Sequence, residues 1–145
     1  MAKVSIYLNF NGTTEQAFLF YKSVFGTEFQ GGINRMGDVP PYEGAPTLSD
    51  EEKARVMHVA LPILDSFVLM GTDILESMGM TLNQGNNVYI NLQPDTRTET
   101  DRLFHALSEG GTTETEPQEM FWGDYYGSCT DKFGVQWMFN CDSKT

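Results

Sequence analysis

Two pairs of side chains able to hydrogen-bond recur in this chain at the same spacing. Tyr7 and Asn9 sit in Tyr-Leu-Asn-Phe; Tyr89 and Asn91 sit in Tyr-Ile-Asn-Leu. On a strand, residues two apart share a face, so each phenol stands beside a carboxamide with aliphatic residues behind. Buried hydroxyls and amides need partners. Each pair therefore bonds across a sheet or faces a wet pocket, and the pocket is the favoured reading. Trp122, Tyr125, Tyr126 and Trp137 offer a second chemistry. They read either as an aromatic wall for a flat or cationic small molecule or as ordinary core. His58 reads first as a strand histidine bonded to a neighbouring strand or to Asp73. A general acid or base role would need an oriented partner. His105, between Phe104 and Ala106, reads as a surface residue. Cys129 and Cys141 have no adjacent Lys, Arg or His to lower a thiol pKa, so they read as buried, inert thiols.

The elements that would carry these residues follow from periodicity. Residues 4–10 alternate, with Val4, Ile6, Leu8 and Phe10 on one face and Tyr7 and Asn9 on the other. Thr13 or Thr14 then caps a helix in which Ala17, Phe20, Tyr21, Val24 and Phe25 recur at helical spacing, and Gly26 ends it. Residues 28–36 read as a second strand loosened by Gly31-Gly32, and 37–47, with three prolines, as a loop. Residues 48–55 form a short helix capped by Thr47 or Ser49. Residues 56–63 and 66–73 make a hairpin turning at Leu64-Asp65. The order then recurs. Residues 88–92 are a strand, 98–109 a helix ending at Gly110-Gly111, and 112–116, 121–130 and 135–141 strands. Asp131-Lys132-Phe133-Gly134 is the final turn.

The expected fold is thus α+β: two strand-helix-strand-strand-strand modules with curled mixed sheets around a cavity. Module one covers about residues 1–73, a Met-rich linker about 74–87, and module two about 88–145, all within one domain. Net charge is −11 at a sequence pI near 4.4, which disfavours nucleic acid and anionic membranes as partners. No apolar run approaches the roughly 20 residues of a membrane span. No secretory signal pattern follows Lys3, and two cysteines suit a reducing compartment. A cytoplasmic location is expected.

Three segments carry a resemblance: YLNFNGTTEQAFLFYKSVFG at 7–26, HVALPILDSFVLMGTD at 58–73 and FWGDYYGSCTDKFGVQWMFN at 121–140. They resemble the vicinal-oxygen-chelate superfamily, the glyoxalase and bleomycin-resistance fold of paired βαβββ modules, and within it the PhnB-like group. That group is often labelled a demethylubiquinone methyltransferase. No glycine-rich loop followed by an acidic ribose-binding residue supports a nucleotide-type cofactor. The resemblance implies a homodimer and, in the superfamily's enzymes, a divalent metal held by His, Glu or Gln from the first and last strands of each module. Those positions here offer Ser5, Tyr7, Asn9, Asn87, Tyr89, Asn91, Val68, Met70, Gly71, Gln136, Met138 and Asn140, with Asp73 only at a strand's edge. One glutamine without His or carboxylate is a poor donor set for zinc, nickel or iron, and His58 is the remaining ligand candidate.

The function expected first is binding of a small molecule in an inter-module pocket without a conventional metal centre or other cofactor. Its candidate residues are Tyr7, Asn9, His58, Tyr89, Asn91, Trp122, Tyr126 and Trp137. The alternative is a metal-dependent lyase, isomerase or dioxygenase with atypical ligands. A third reading is a dimeric interaction module.

Overall fold

The structure, a computed structural model, describes residues 1–65 and 67–145. It divides into two compact units, residues 1–83 and 84–145. In the first, β1 (Ile6–Phe10) leads to α1 (Thr14–Phe25), β2 (Asn34–Arg35), α2 (Asp50–Ala54), β3 (Val56–Ile63) and β4 (Phe67–Asp73). In the second, β5 (Ile90–Leu92) leads to α3 (Arg97–Ser108), β6 (Thr112–Glu119), β7 (Tyr125–Thr130) and β8 (Gln136–Cys141). Each unit is a mixed four-stranded sheet in which the first strand runs parallel to the last. The orders are β1-β4-β3-β2 and β5-β8-β7-β6. The two orders are identical, so the duplication read from Tyr-x-Asn extends to topology. The α+β expectation holds.

In each unit one sheet face is closed by a helix. Thr14, Ala17, Phe18, Tyr21 and Val24 form the buried stripe of α1. Phe18 takes the place that periodicity gave to Phe20 and Phe25, both only half-buried. Gly71 on β4 is required here, because a Cβ would overlap the Phe18 ring. In the second unit Thr100, Leu103, Phe104 and Leu107 of α3 are buried, and Phe104 meets Phe139 edge-to-face at 5.7 Å. Alternation on β1 leaves Tyr7 and Asn9 on the opposite, open face.

Two buried aspartates tie the chain. Asp73 Oδ1 accepts from the Gly12 and Thr14 amides at 2.9 and 3.1 Å and from the Thr14 hydroxyl at 2.6 Å. Its Oδ2 accepts from the Val56 amide at 2.9 Å. The carboxylate thereby satisfies donors at the start of α1 and β3 from the end of β4. Thr13 occupies the expected cap position without a side-chain cap bond, so a residue remote in sequence does that work. In the second unit Asp131 Oδ1 accepts from the Phe133 and Val135 amides, and Oδ2 from the Trp137 indole at 2.8 Å. Ser49 caps α2 and Thr96 caps α3 as side-chain acceptors.

Several boundaries differ from the sequence reading. The strand expected at 28–36 shrinks to Asn34–Arg35, because Gly31 and Gly32 adopt φ of 75° and 73° and break the extended run. The strand expected from Phe121 begins at Tyr125. Gly123, at φ 101°, turns the chain there, with its amide bonded to Met120 O. The strand from Thr112 runs on to Glu119 through Pro117, tolerated because β6 is an edge strand with an irregular register. The hairpin turns at Leu64 and Asp65, at φ 39° and 28° as the turn requires. Ser66, where its second strand was expected to begin, lies outside the described residues.

The Asp73 cluster makes a direct prediction. All four of its partners donate, so an amide NH₂ would face a donor. Asp73→Asn is expected to lower stability by about 3 kcal/mol, seen as a lower urea midpoint at pH 7 with an unchanged slope.

Candidate functional site

On the open face of the first sheet, Tyr7 Oη lies 2.7 Å from His58 Nδ1, with ring centroids 5.7 Å apart. β1 and β3 are not neighbours; β4 lies between them. The long phenol spans β4 to reach the imidazole. Burial pushes the Tyr7 phenol above its ordinary pKa, which keeps it protonated at neutral pH. When Tyr7 donates to Nδ1, the Nε2–H of His58 is left as a donor; when His58 donates, the phenol O–H is left. The pair therefore offers one directed proton donor in either tautomer. Tyr7 is 45% exposed, so a ligand can reach it. Asn9 is exposed and makes no side-chain hydrogen bond among the described residues. The histidine is thus bonded to another strand of its sheet. Asp73, the other expected partner, spends its oxygens on Gly12, Thr14 and Val56.

The second sheet repeats the arrangement with different partners. Tyr89 Oη donates to Glu114 Oε2 at 3.0 Å, and that carboxylate holds the Tyr89 phenol above its ordinary pKa. Asn140 Nδ2 donates to Asn91 Oδ1 at 2.7 Å, and Gln136 Nε2 to Val88 O at 2.6 Å. Trp122 and Tyr126 meet edge-to-face at 6.5 Å, and Phe121 stands perpendicular to Trp122 at 4.8 Å.

The expected aromatic wall therefore splits. Trp122 and Tyr126 keep together. Tyr125 points toward the helix, donating to Asp101 at 2.7 Å with Arg97 over its ring at 4.9 Å. Trp137, expected in the pocket, is instead fully buried and bonded to Asp131. It shares a strand face with Phe139 and Cys141, which the helix covers, so it belongs to the core. His105 is exposed on α3, as expected.

The sequence reading missed one feature. In the first unit, the loop after β2 covers a cavity of about 500 Å³ lined by Val39, Pro41, Tyr42, Leu48, Leu75 and Met78. The signal available for it was the pairing of three prolines with Tyr42 in one loop, a rigid apolar cover.

The donor types do not fit the divalent site of the superfamily's enzymes. The open faces present Tyr7, Asn9, His58, Met70 and Thr72 in one unit and Tyr89, Asn91, Glu114, Met138 and Asn140 in the other. His58 and Glu114 are the strong ligand types, each set among phenols, amides and a thioether that bind first-row metals weakly. Among the described residues no three His, Cys, Asp or Glu side chains converge. Nor is any described helix long and apolar enough to cross a membrane.

The cysteines have no catalytic character. Both are buried, and burial pushes the Cys129 thiol up to about 12. Neither thiol should react with DTNB in the folded protein at pH 8, whereas both should react in 6 M guanidinium. Fast native labelling of either would contradict this packing.

Comparison with known proteins agrees with this architecture. The family model described as 3-demethylubiquinone-9 3-methyltransferase matches residues 2–139. Protein YjdN of Escherichia coli K12 is 30% identical over 144 residues, covering 94% of this chain and 93% of its own. The crystal structure of PA1353 from Pseudomonas aeruginosa is 32% identical, with a TM-score of 0.82 over 98% of both chains. A glyoxalase/bleomycin resistance protein/dioxygenase family enzyme from Burkholderia phytofirmans shares the fold at 19% identity, with a TM-score of 0.63 over 94% of this chain and 97% of its own. The chain belongs to the PhnB-like 3-demethylubiquinone-9 3-methyltransferase family and shares the fold of glyoxalase/bleomycin-resistance proteins.

Proposed function

We propose that this PhnB-like protein binds a small molecule on the open faces of its sheets, without the divalent centre used by the superfamily's enzymes. The observation that carries the reading is the Tyr7–His58 bond at 2.7 Å beside an exposed Asn9. A directed phenol–imidazole donor next to an unengaged carboxamide is a hydrogen-bonding platform. As fold packing alone it would serve little, since the core of this unit lies on the other side of the sheet. Tyr89, Asn91, Trp122 and Tyr126 give the second unit a platform of its own, with acceptors and aromatic rings. The proposal includes a homodimer in the cytoplasm, on the strength of the superfamily resemblance and the free thiols.

A fragment library screened by NMR on labelled protein tests the reading. Hits are expected to shift the Tyr7, Asn9 and His58 signals, and Tyr7→Phe with His58→Ala should weaken them about tenfold, the worth of one or two directed hydrogen bonds. Hits that cluster elsewhere and ignore both substitutions would remove it.

Protein purified without chelators should carry well under one divalent metal per chain by elemental analysis. Stoichiometric zinc, nickel or iron would favour a metal-dependent lyase, isomerase or dioxygenase instead.

A further inference from the structure

We propose that the open face of the second sheet recognises an organic cation, an alkylammonium or related group. The inference rests on the small-molecule reading of that face and names its ligand class. Strands β5 to β8 contain three glutamates and not one Lys or Arg. One of these glutamates is aimed. The register of β6 against β7 shifts only after Thr113, so Glu114, two residues past Thr112 and its open-face partner Thr130, keeps to that face. Thr113 pairs with the buried Cys129, while Glu114 turns over the open face, where it accepts from Tyr89 Oη at 3.0 Å and from Thr130 Oγ1 at 3.4 Å. The bond joins a carboxylate to a phenol across the two strands between β6 and β5, on the side of the sheet away from the core.

The rings supply the rest. Tyr126 lies opposite Asn140 in the register, so it shares the open face with the Asn140–Asn91 pair. Trp122 packs its edge against Tyr126 and remains 51% exposed. An exposed indole beside a phenol offers the π-rich surface that attracts quaternary and alkylated ammonium groups. Two lysines flanking these strands are engaged elsewhere. Lys144 donates to Gly123 O at 2.9 Å and reaches Glu119, and Lys132 lies over the Phe133 ring in the β7–β8 turn. Polar groups on the face are a carboxylate, amides and hydroxyls, all able to accept from or solvate a cation. Anionic ligands would meet Glu114 on strands that carry no Lys or Arg.

Trp122 gives a selective optical reporter, because the other tryptophan is buried and bonded to Asp131. The full-length protein is titrated with three probes of one shape and different charge: choline, neutral 3,3-dimethyl-1-butanol and anionic 3,3-dimethylbutyrate. Choline is expected to change Trp122 emission with an affinity at least about tenfold above either isostere. Glu114→Gln should weaken choline about tenfold and leave the neutral probe unchanged, while Trp122→Ala should weaken all probes. Both residues are exposed, and an unchanged urea midpoint checks that the variants fold. Equal binding of the neutral or anionic isostere overturns the cation assignment while the small-molecule reading stands. If no probe binds and the fragment screen is also silent on this face, both fall.

Discussion

The first unit depends on one carboxylate. Asp73 stands at the end of β4, inside the protein, and collects three backbone amides and a hydroxyl from segments about 60 residues before it and 17 before it. Each of those donors would otherwise be stranded at the start of α1 or β3, and a stranded buried amide costs about 1–3 kcal/mol. The bonds fix the entry of α1 over the sheet, and with it the depth at which Phe18 meets Gly71. Once that face is closed, period-two alternation leaves Tyr7 and Asn9 on the other. The polar platform is thus a by-product of how the apolar side is anchored. Asp131 does a smaller version of the same task in the second unit, holding its own turn and the Trp137 indole.

The two sheets share topology and diverge in chemistry. Where the first has a phenol bonded to an imidazole, the second has a phenol bonded to a carboxylate. One face can pass or present a proton; the other carries negative charge beside aromatic rings. Duplication followed by divergence of surface residues accounts for this pattern, because the open face contributes little to the core and tolerates exchange. The family's description as a methyltransferase does not alter the argument, since function has to be argued from the site.

Most of the architecture was legible in the sequence. Alternation in β1, helical spacing in α1 and α3, Gly26 as the left-handed stop and the Asp131–Gly134 turn are local signals, and each appears in the structure. The failures have a common cause in long-range effects. Nothing near Thr13 shows that the cap of α1 comes from Asp73. Trp137 looks like a pocket aromatic until the indole finds Asp131 beneath a helix. Nothing local marks Glu114, whose partner Tyr89 lies across β7 and β8. The partner of His58 was foreseen as a neighbouring strand or Asp73; reaching Tyr7 required knowing that β4 separates them.

The edge of the second sheet has one more consequence. β6 is a long outer strand, eight residues, and such strands invite another chain to add on and continue the ladder. This one carries Pro117, three glutamates and a broken register. Proline removes an amide, the glutamates repel a copy of themselves, and the bulge twists the rim away from flatness. The strand that sets Glu114 on the open face therefore also protects a crowded solution of this acidic protein from polymerising edge to edge.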